Sequence, residues 1–315
     1  MKLKITTLVA CLFLYAFSYG QQKVEKNFTG IDNINMSTSS GDCIVKKSDG
    51  NKVYVLLEHN FDTNKYEPVI EQSGSTLKIK EVFSRGSSSG FAKWTLMVPD
   101  NVEIKFNTGS GNFSASNLKV SLNLNTGSGN YEFDRITGDI VSNSGSGNMS
   151  ISSFEGEMKS NTGSGNIRVS GAKGELKLNC GSGNIDITNT NAGIKANVGS
   201  GNISGSGMLI ASSSSFNSGS GDVELTLSAS PKADLSVNSG SGDAELDYDG
   251  NEIEGLITMK ANKKNGDIEA PFDFDSTEEI NENGNQTVIK KTAKIGNSNL
   301  KINVSTGSGT ASISK

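Results

Sequence analysis

A six-residue phrase, N-T-G-S-G-N, recurs along the chain at a fixed interval and limits what the chain can fold into. The first glycine of the phrase falls at every eighteenth position over six copies and then after slightly longer intervals, at Gly109, Gly127, Gly145, Gly163, Gly181, Gly199, Gly219 and Gly240. A further copy begins with Gly307 after a gap. A fixed interval is typical of repeat proteins, whose units stack and bury a shared core.

Within each repeat, apolar residues recur at the seventh, ninth and sixteenth places, as in Ile167, Val169 and Leu176. This spacing predicts two short strands, separated by a looser second turn at Gly138, Gly156 or Gly174. At ~3.3 Å per residue, one coil has a perimeter of ~60 Å, enough for two strands with faces ~10 Å apart. The chain is therefore predicted to be all-β: a single-stranded β-solenoid of about 18-residue coils, with two parallel sheets joined at GSG turns.

The repeated glycines and asparagines have predicted structural roles. We expect positive φ angles at the glycines of the tight GSG turns, because glycine tolerates them. Stacking aligns the asparagines of the first place, where side-chain hydrogen bonds can form along the column. Those residues are Asn107, Asn125, Asn143, Asn161, Asn179, Asn197, Asn217 and Asn238.

Residues 1–20 have the features of a cleaved secretory signal. An apolar run from Ile5 to Phe17 follows two lysines, and small residues precede a predicted cleavage between Gly20 and Gln21. A lipobox-like string ends at Cys11, but cleavage there would divide the apolar run. The remaining chain has no apolar run near the ~20 residues of a membrane-spanning helix. We expect an exported protein, in the periplasm, on the outer surface or secreted, without a membrane span in the mature chain.

The rest of the chain divides by the regularity of its repeats. We expect irregular first coils and a cap over 21–106, the regular solenoid over 107–248, and further coils over 249–315. The acidic segment Asp273–Asn285 is predicted to be a loop inserted in the last of these. The first region should contain strands at Ile31–Met36, Cys43–Lys46, Val53–Glu58, Leu77–Val82, Trp94–Val98 and Val102–Phe106.

Composition excludes one class of partner. The net charge of −5 becomes −7 once residues 1–20, which hold two lysines and no acidic residue, are removed. A negative chain of this kind is not expected to bind nucleic acid. Two cysteines remain after cleavage, Cys43 and Cys180, and we expect both to be free thiols because several coils separate them.

Catalytic motifs have little support in this sequence. His59 is the only histidine, and we expect it on the surface or in a turn. Gly86–Gly90 spells G-x-S-x-G, but that motif needs a strand-turn-helix elbow and a partner histidine. The metalloprotease, paired-cysteine and P-loop motifs do not occur. We predict a protein that is not an enzyme and has no cofactor.

The sharpest candidate site is acidic. The sixth place is asparagine in six coils but Asp222 and Asp243 in the last two, with Glu224 and Glu245 two residues later on the same face. Stacked carboxylates repel one another unless a cation, a lysine or solvent intervenes, so a Ca²⁺ site is one interpretation. A solvated acidic edge is the other, because aspartate and asparagine serve turns alike.

Three features resemble a known family: the repeated N-T-G-S-G-N-h-x-h phrase, the opening Phe28–Ile31, and the Val98–Val102 lead-in to the first regular coil. They resemble the bacterial "putative adhesin" family of GSG-repeat domains, a head-GIN type domain of unknown function, over nearly all of Phe28–Lys315. The resemblance implies a β-solenoid with two sheets joined at GSG turns, in exported bacterial proteins associated with adhesion. It implies no catalytic residues.

Three functional interpretations are open from the sequence. The first is an exported non-enzymatic surface or envelope binding module, an adhesin that recognises a glycan or protein at a cell surface. The second is a carbohydrate-active β-helix enzyme, which would need acids with Arg or Lys on one sheet face. The third is a ligand-free structural envelope protein, favoured by uniformly polar faces without a groove.

Overall fold

The computed structural model describes residues 21–84, 89–282 and 286–315. Within these ranges every element is a β-strand, which confirms the predicted all-β class. The predicted signal segment 1–20, with Gly20, and residues 86–88 of the G-x-S-x-G string lie outside the described residues. Gln21 is described and exposed.

The strands fall into three groups along the chain. The strands before the regular repeats are β1 (Gln22–Thr29), β2 (Asn33–Thr38), β3 (Asp42–Lys47), β4 (Lys52–His59), β5 (Tyr66–Ser73), β6 (Thr76–Phe83), β7 (Ala92–Val98) and β8 (Val102–Thr108). Those of the regular repeats are β9 (Phe113–Thr126), β10 (Tyr131–Ser144), β11 (Met149–Thr162), β12 (Ile167–Ser170), β13 (Lys173–Cys180), β14 (Ile185–Thr188), β15 (Asn191–Val198), β16 (Ile203–Ile210), β17 (Ser214–Ser218), β18 (Val223–Leu227), β19 (Leu235–Ser239) and β20 (Ala244–Asp247). The last group is β21 (Gly255–Asn262), β22 (Asp267–Glu269), β23 (Ser276–Glu282), β24 (Gln286–Ile295), β25 (Lys301–Thr306) and β26 (Thr310–Ser314).

The regular strands pair in parallel with residues one repeat away. Tyr131 is opposite Phe113 on one side and Met149 on the other, so each partner lies exactly one repeat along the sequence. Alternate side chains point inward, and the seventh-place column that includes Ile167, Ile185 and Ile203 is fully buried. Each coil thus contributes a layer to one continuous apolar core.

The second turn is a bend within a strand in the first regular coils. β9, β10 and β11 each run through this corner for 14 residues. The bend uses positive φ at Asn117, Arg135 and Ser153, and Gly138 and Gly156 follow with positive φ as well. We name the surface before the bend the first face and the surface after it the second face.

The GSG glycines are required for a different reason from the predicted one. None of them has a positive φ, so the predicted conformation is wrong at these turns. A Cβ atom on Gly147 would lie 1.8 Å from the carbonyl oxygen of Gly129, and one on Gly165 would lie 2.0 Å from that of Gly147. Successive turns approach so closely that the backbone leaves no room for a side chain.

Chain order and stacking order differ at both ends of the stack. β2 pairs with both β6 and β8, and β3 with both β7 and β9, so the first coil lies inside a later one. β25 likewise lies between β19 and β21, and β26 between β20 and β22. At the first end the outer strands β6 and β7 follow the inner coil in the chain, whereas at the other end β25 and β26 return beneath the outer strands β21 and β22.

Antiparallel strands cover these ends. β1 pairs with β4, which pairs with β7, and β5 pairs with β6 at one end; β21, β24 and β23 pair at the other. The predicted parallel sheets therefore hold for the regular coils but not for the caps. The edge strands are polar and β5 contains Pro68, features that oppose edge-to-edge association.

Several segments differ from their predicted state. The sequence predicts a loop over Asp273–Asn285, but Ser276–Glu282 forms a strand that pairs antiparallel with β24. Its alternation of charged and polar residues has no apolar period from which a strand could be recognised. β1 and β5 are also absent from the predicted strands. The predicted boundaries of the regular solenoid, at 106/107 and 248/249, stay predictions.

Candidate functional site

The second face carries a continuous row of asparagine amides. The Nδ2 group of each first-place asparagine donates to Oδ1 of the asparagine one coil earlier, over 2.8 to 3.0 Å, from Asn107 to Asn238. Each amide nitrogen has a second N–H and each amide oxygen a second lone pair. The amide row therefore combines a fixed geometry with further donors and acceptors, which only at Asn238 are taken by side chains of the described residues, those of Ser236 and Ser305.

A row of lysines runs beside the amides. Lys159, Lys177 and Lys195 are aligned by the strand register and are exposed. Coils in register bring them within ~4.8 Å at the backbone, and like charges placed directly opposite destabilise a sheet. Among the described residues, no salt bridge involves any of these three lysines. The row is a short strip of ammonium groups without a direct ion pair in the described ranges.

A row of carboxylates runs along the other side of the lysines. Asp139, Glu157 and Glu175 are aligned by the register and exposed, and each lies two residues before the lysine-row position of its own coil. An open groove of about 490 Å³ is lined by both rows. Glu175 also accepts a hydrogen bond from Ser212. We name the three rows together the ladder face.

The ladder face offers three kinds of contact in parallel lines. Carboxylates accept hydrogen bonds, and ammonium groups donate hydrogen bonds and attract anions. Amides both donate and accept hydrogen bonds. Every coil from Asp139 to Asn179 repeats this order, apart from Val141 in the lysine row. The arrangement suits an extended ligand with a repeating pattern of polar groups.

Sequence reasoning missed the ladder face, although a signal for it was present. Aligning the repeats at their constant interval places the three acids in one column and the three lysines in another. Repeat alignment combined with the inward–outward alternation of the strands identifies the ladder face.

The sixth-place column explains the two aspartates. The backbone N–H of Asp243 donates to Oδ1 of Asp222 over 2.9 Å, and that of Thr310 donates to Oδ1 of Asp243 over 2.6 Å. Asparagine oxygens accept the same bond in the earlier coils, as between Asn148 and Asn166 at 2.8 Å. The carboxylates thus perform the structural role of the amide oxygens.

The neighbouring glutamates form an acidic edge. Glu224 is opposite Glu245 in the register. Partial burial, followed by the charges of Glu224 and the nearby aspartates, raises the pKa of Glu245. The residues that the structure describes contain no group of three or more His, Cys, Asp or Glu side chains placed to hold a metal ion. Calcium binding at Asp222 and Asp243 stays a prediction.

A substitution separates the two interpretations of Asp243. We expect the melting temperature of Asp243→Asn to lie within about 1 °C of that of the parent, because asparagine supplies the same Oδ1 acceptor. This should hold both with calcium and with chelator. Asp243→Ala should lose about 1 kcal/mol, since the Thr310 N–H loses its partner. Thermal unfolding measures both. A calcium-dependent rise in melting temperature that is confined to the parent would instead establish a metal site.

The only histidine is a core residue, and its predicted surface position is wrong. His59 is 2% exposed. The centroid of its ring lies 4.6 Å from the ring centroid of Tyr66 and 6.5 Å from that of Phe61. Burial lowers the pKa of His59. Every second side chain of β4 points inward, including Leu57 and His59, so His59 lies on the core side of its strand.

Both remaining cysteines are free, as predicted, and both are buried. Cys180 Sγ accepts from the Gly183 N–H at 2.9 Å and donates to the Gly165 carbonyl at 3.0 Å. The hydroxyl of Thr162 makes the equivalent bonds one coil earlier. Cys180 is therefore a structural member of the turn.

Comparisons with known proteins identify a family. The family model described as Toastrack DUF4097 matches residues 31–257. A search of curated proteins finds no match. No helix in the described ranges has the length and apolar character needed to cross a bilayer.

The chain also matches solved structures of bacterial proteins at low sequence identity. A "putative cell adhesion protein" from Clostridium sporogenes ATCC 15579 is 12% identical, with 94% of this chain and 99% of that chain covered and a TM-score of 0.25. A "putative lipid binding protein" from Parabacteroides distasonis ATCC 8503 is 20% identical, with 74% and 97% covered and a TM-score of 0.48. A "putative adhesin" from Bacteroides fragilis NCTC 9343 is 10% identical, with 94% and 98% covered and a TM-score of 0.34.

Proposed function

The chain belongs to the Toastrack DUF4097 family, and from the geometry of the ladder face we propose that it is an exported, non-enzymatic binding module of a cell surface or envelope. The module is a β-solenoid of about 18-residue coils joined at GSG turns. Its ligand is a glycan or a protein segment in an extended conformation. The head-GIN assignment stays a prediction beside the family match.

The observation that carries this proposal is the register of the three rows. A net hydrogen bond contributes about 0.5–1.5 kcal/mol, so a single row position binds weakly. The ladder face repeats its donors and acceptors in every coil, and neighbouring amides already hold one another in place. Binding to the amide row therefore costs little side-chain ordering, and affinity grows with the number of coils that a ligand contacts.

Retention on an array tests the proposal. We expect purified Gln21–Lys315 to be retained by a subset of bacterial and host glycans or matrix proteins. Lys177→Cys coupled to a maleimide polymer should abolish retention, because the polymer covers the ladder face. Ser150→Cys with the same polymer is the matched control, since Ser150 is exposed on the first face. The native thiols are buried and should not react.

The other outcomes decide against binding at this face. A blank array with the unmodified protein would contradict the binding module and favour a ligand-free structural protein of the envelope. Full retention by the Lys177 conjugate would place the ligand elsewhere, and equal loss in both conjugates would contradict a site confined to the ladder face. Turnover of a retained glycan would favour the carbohydrate-active enzyme.

A further inference from the structure

We propose that the ladder face binds a linear acidic polysaccharide, one that carries both carboxylates and free hydroxyls along its length and lies parallel to the stacking direction. This inference rests on the proposed function and names the chemical class of its ligand. Three features of the ladder face carry it: the unpaired lysines, the flanking carboxylates and the amide row.

The lysine row favours an anionic ligand. Lys159, Lys177 and Lys195 repel one another and have no salt-bridge partner among the described residues. An anionic ligand that lies along them relieves this repulsion at all three positions. The row has defined ends, because Val141 precedes it and Ser215 follows it in the register. Its length of about 10 Å accommodates a short run of charged units.

The carboxylate row restricts which anion can bind. Asp139, Glu157 and Glu175 lie two residues from the lysine row, or about 7 Å along the strand. A chain whose polar groups are only anionic, such as polyphosphate, is repelled at this distance. A chain that also carries hydroxyls can donate hydrogen bonds to the carboxylates. The pairing of both rows therefore selects a hydroxylated polyanion.

The amide row completes the pattern on the opposite flank. Asn161, Asn179 and Asn197 lie two residues after the three lysines, and each amide keeps an N–H group and a lone pair beyond those used in the row. Sugar hydroxyls can both donate to and accept from such amides. The coil spacing of ~4.8 Å is comparable to the length of a sugar ring, so successive sugars meet equivalent amides.

Binding to three defined polymers tests this inference. The probes are polygalacturonate, its fully methyl-esterified form, and inorganic polyphosphate. We expect polygalacturonate to bind at least about tenfold more tightly than either of the others, measured by calorimetry on Gln21–Lys315. The ester keeps the hydroxyls but loses the charge, and polyphosphate keeps the charge but has no sugar hydroxyls.

Charge variants locate the site. Lys159→Gln, Lys177→Gln and Lys195→Gln combined should weaken polygalacturonate binding at least tenfold. The matched control combines Lys46→Gln, Lys232→Gln and Lys264→Gln, which remove the same charge from exposed positions elsewhere, and should bind like the parent. Glu157→Gln with Glu175→Gln should raise the affinity for polyphosphate, because the repelling row is neutralised. Melting curves should show that all variants fold.

Several results would overturn the inference. Equal affinity for polygalacturonate and its ester would remove the role of the lysines, as would equal losses in the two triple variants. Tight polyphosphate binding by the parent would contradict the role of the carboxylates. Retention of a glycan or protein on the array, without binding of polygalacturonate, would reject the acidic polysaccharide while the binding module stands. A blank array rejects both.

Discussion

Gly147→Ala is expected to lower the free energy of unfolding by about 3 kcal/mol, which is large for one methyl group. The added Cβ would lie 1.8 Å from the carbonyl oxygen of Gly129 and 2.6 Å from the Ser144 hydroxyl oxygen. The Gly147 N–H donates to that hydroxyl over 2.7 Å, so the turn cannot move away without losing this bond. Urea and thermal denaturation measure the loss.

Two control variants separate close approach from backbone conformation. Ser146 lies between Gly145 and Gly147 and is exposed. Ser146→Ala should therefore keep a free energy of unfolding within about 0.5 kcal/mol of the parent. Gly171→Asn replaces a glycine with a φ of +69° and no atom nearer than 3.7 Å to a built Cβ. It should be nearly neutral, because Asn117 and Asn189 occupy equivalent bends. If Gly147→Ala behaved like Ser146→Ala, the close-approach explanation would be wrong.

Removing one whole coil should leave a folded protein. Deletion of residues 161–178 joins Ser160 to Asn179 and places the following coil on β11 in an unchanged register, because paired residues are one full repeat apart. Each coil contacts mainly its two neighbours, so stability should fall by the contribution of one coil while cooperativity is kept. Circular dichroism and size-exclusion chromatography should show a compact β protein with a lower melting temperature.

Removing one residue fewer should prevent folding, which is the largest effect we expect. Deletion of 161–177 retains Leu178 and shifts every later residue by one place relative to the coils before the junction. A one-residue slip turns each strand over, so core residues such as Ile185 and Ile194 would face solvent. We expect no cooperative transition. A cooperative unfolding curve that matches the whole-coil deletion would contradict the register.

Much of the fold is predictable because it depends on local repetition. Apolar residues at alternate places, as in Ile167 and Val169, predict strands with one buried side. The constant interval then brings equivalent residues together, and the asparagine row follows from it. The constant interval therefore predicts which residues of neighbouring coils contact one another.

The ends of the stack are less predictable because they have no period. Nothing in the alternation of β2 identifies β6 and β8 as its partners, since any strand with a similar apolar face could pair with it. The alternation of β4 gives His59 the inward side of Val55 and Leu57, but it does not identify the residues that bury it. The aromatic cluster that buries it includes Phe61 and Tyr66, and it forms only when β4, β5 and the segment between them fold together.

The candidate site shows the same division. Asp222 and Asp243 depart from an asparagine column, but their Oδ1 atoms accept the bonds that asparagine accepts elsewhere. The columns of Glu157 and Lys159 are visible in the repeat. Their exposure follows from the inward–outward alternation of the strands, whereas the lack of a salt bridge to Lys159 in the described ranges emerges only from the tertiary structure.

The sequence by itself determined the strand class, the register of the repeat and the columns of equivalent residues, because periodic alternation constrains each coil against the next. Only the tertiary structure decided the insertion of β2–β3 and β25–β26 beneath the outer layers, and the true role of the GSG glycines. These features depend on distances between backbones that are remote in sequence. Such distances follow from the packing of the whole stack and leave no periodic trace in the chain.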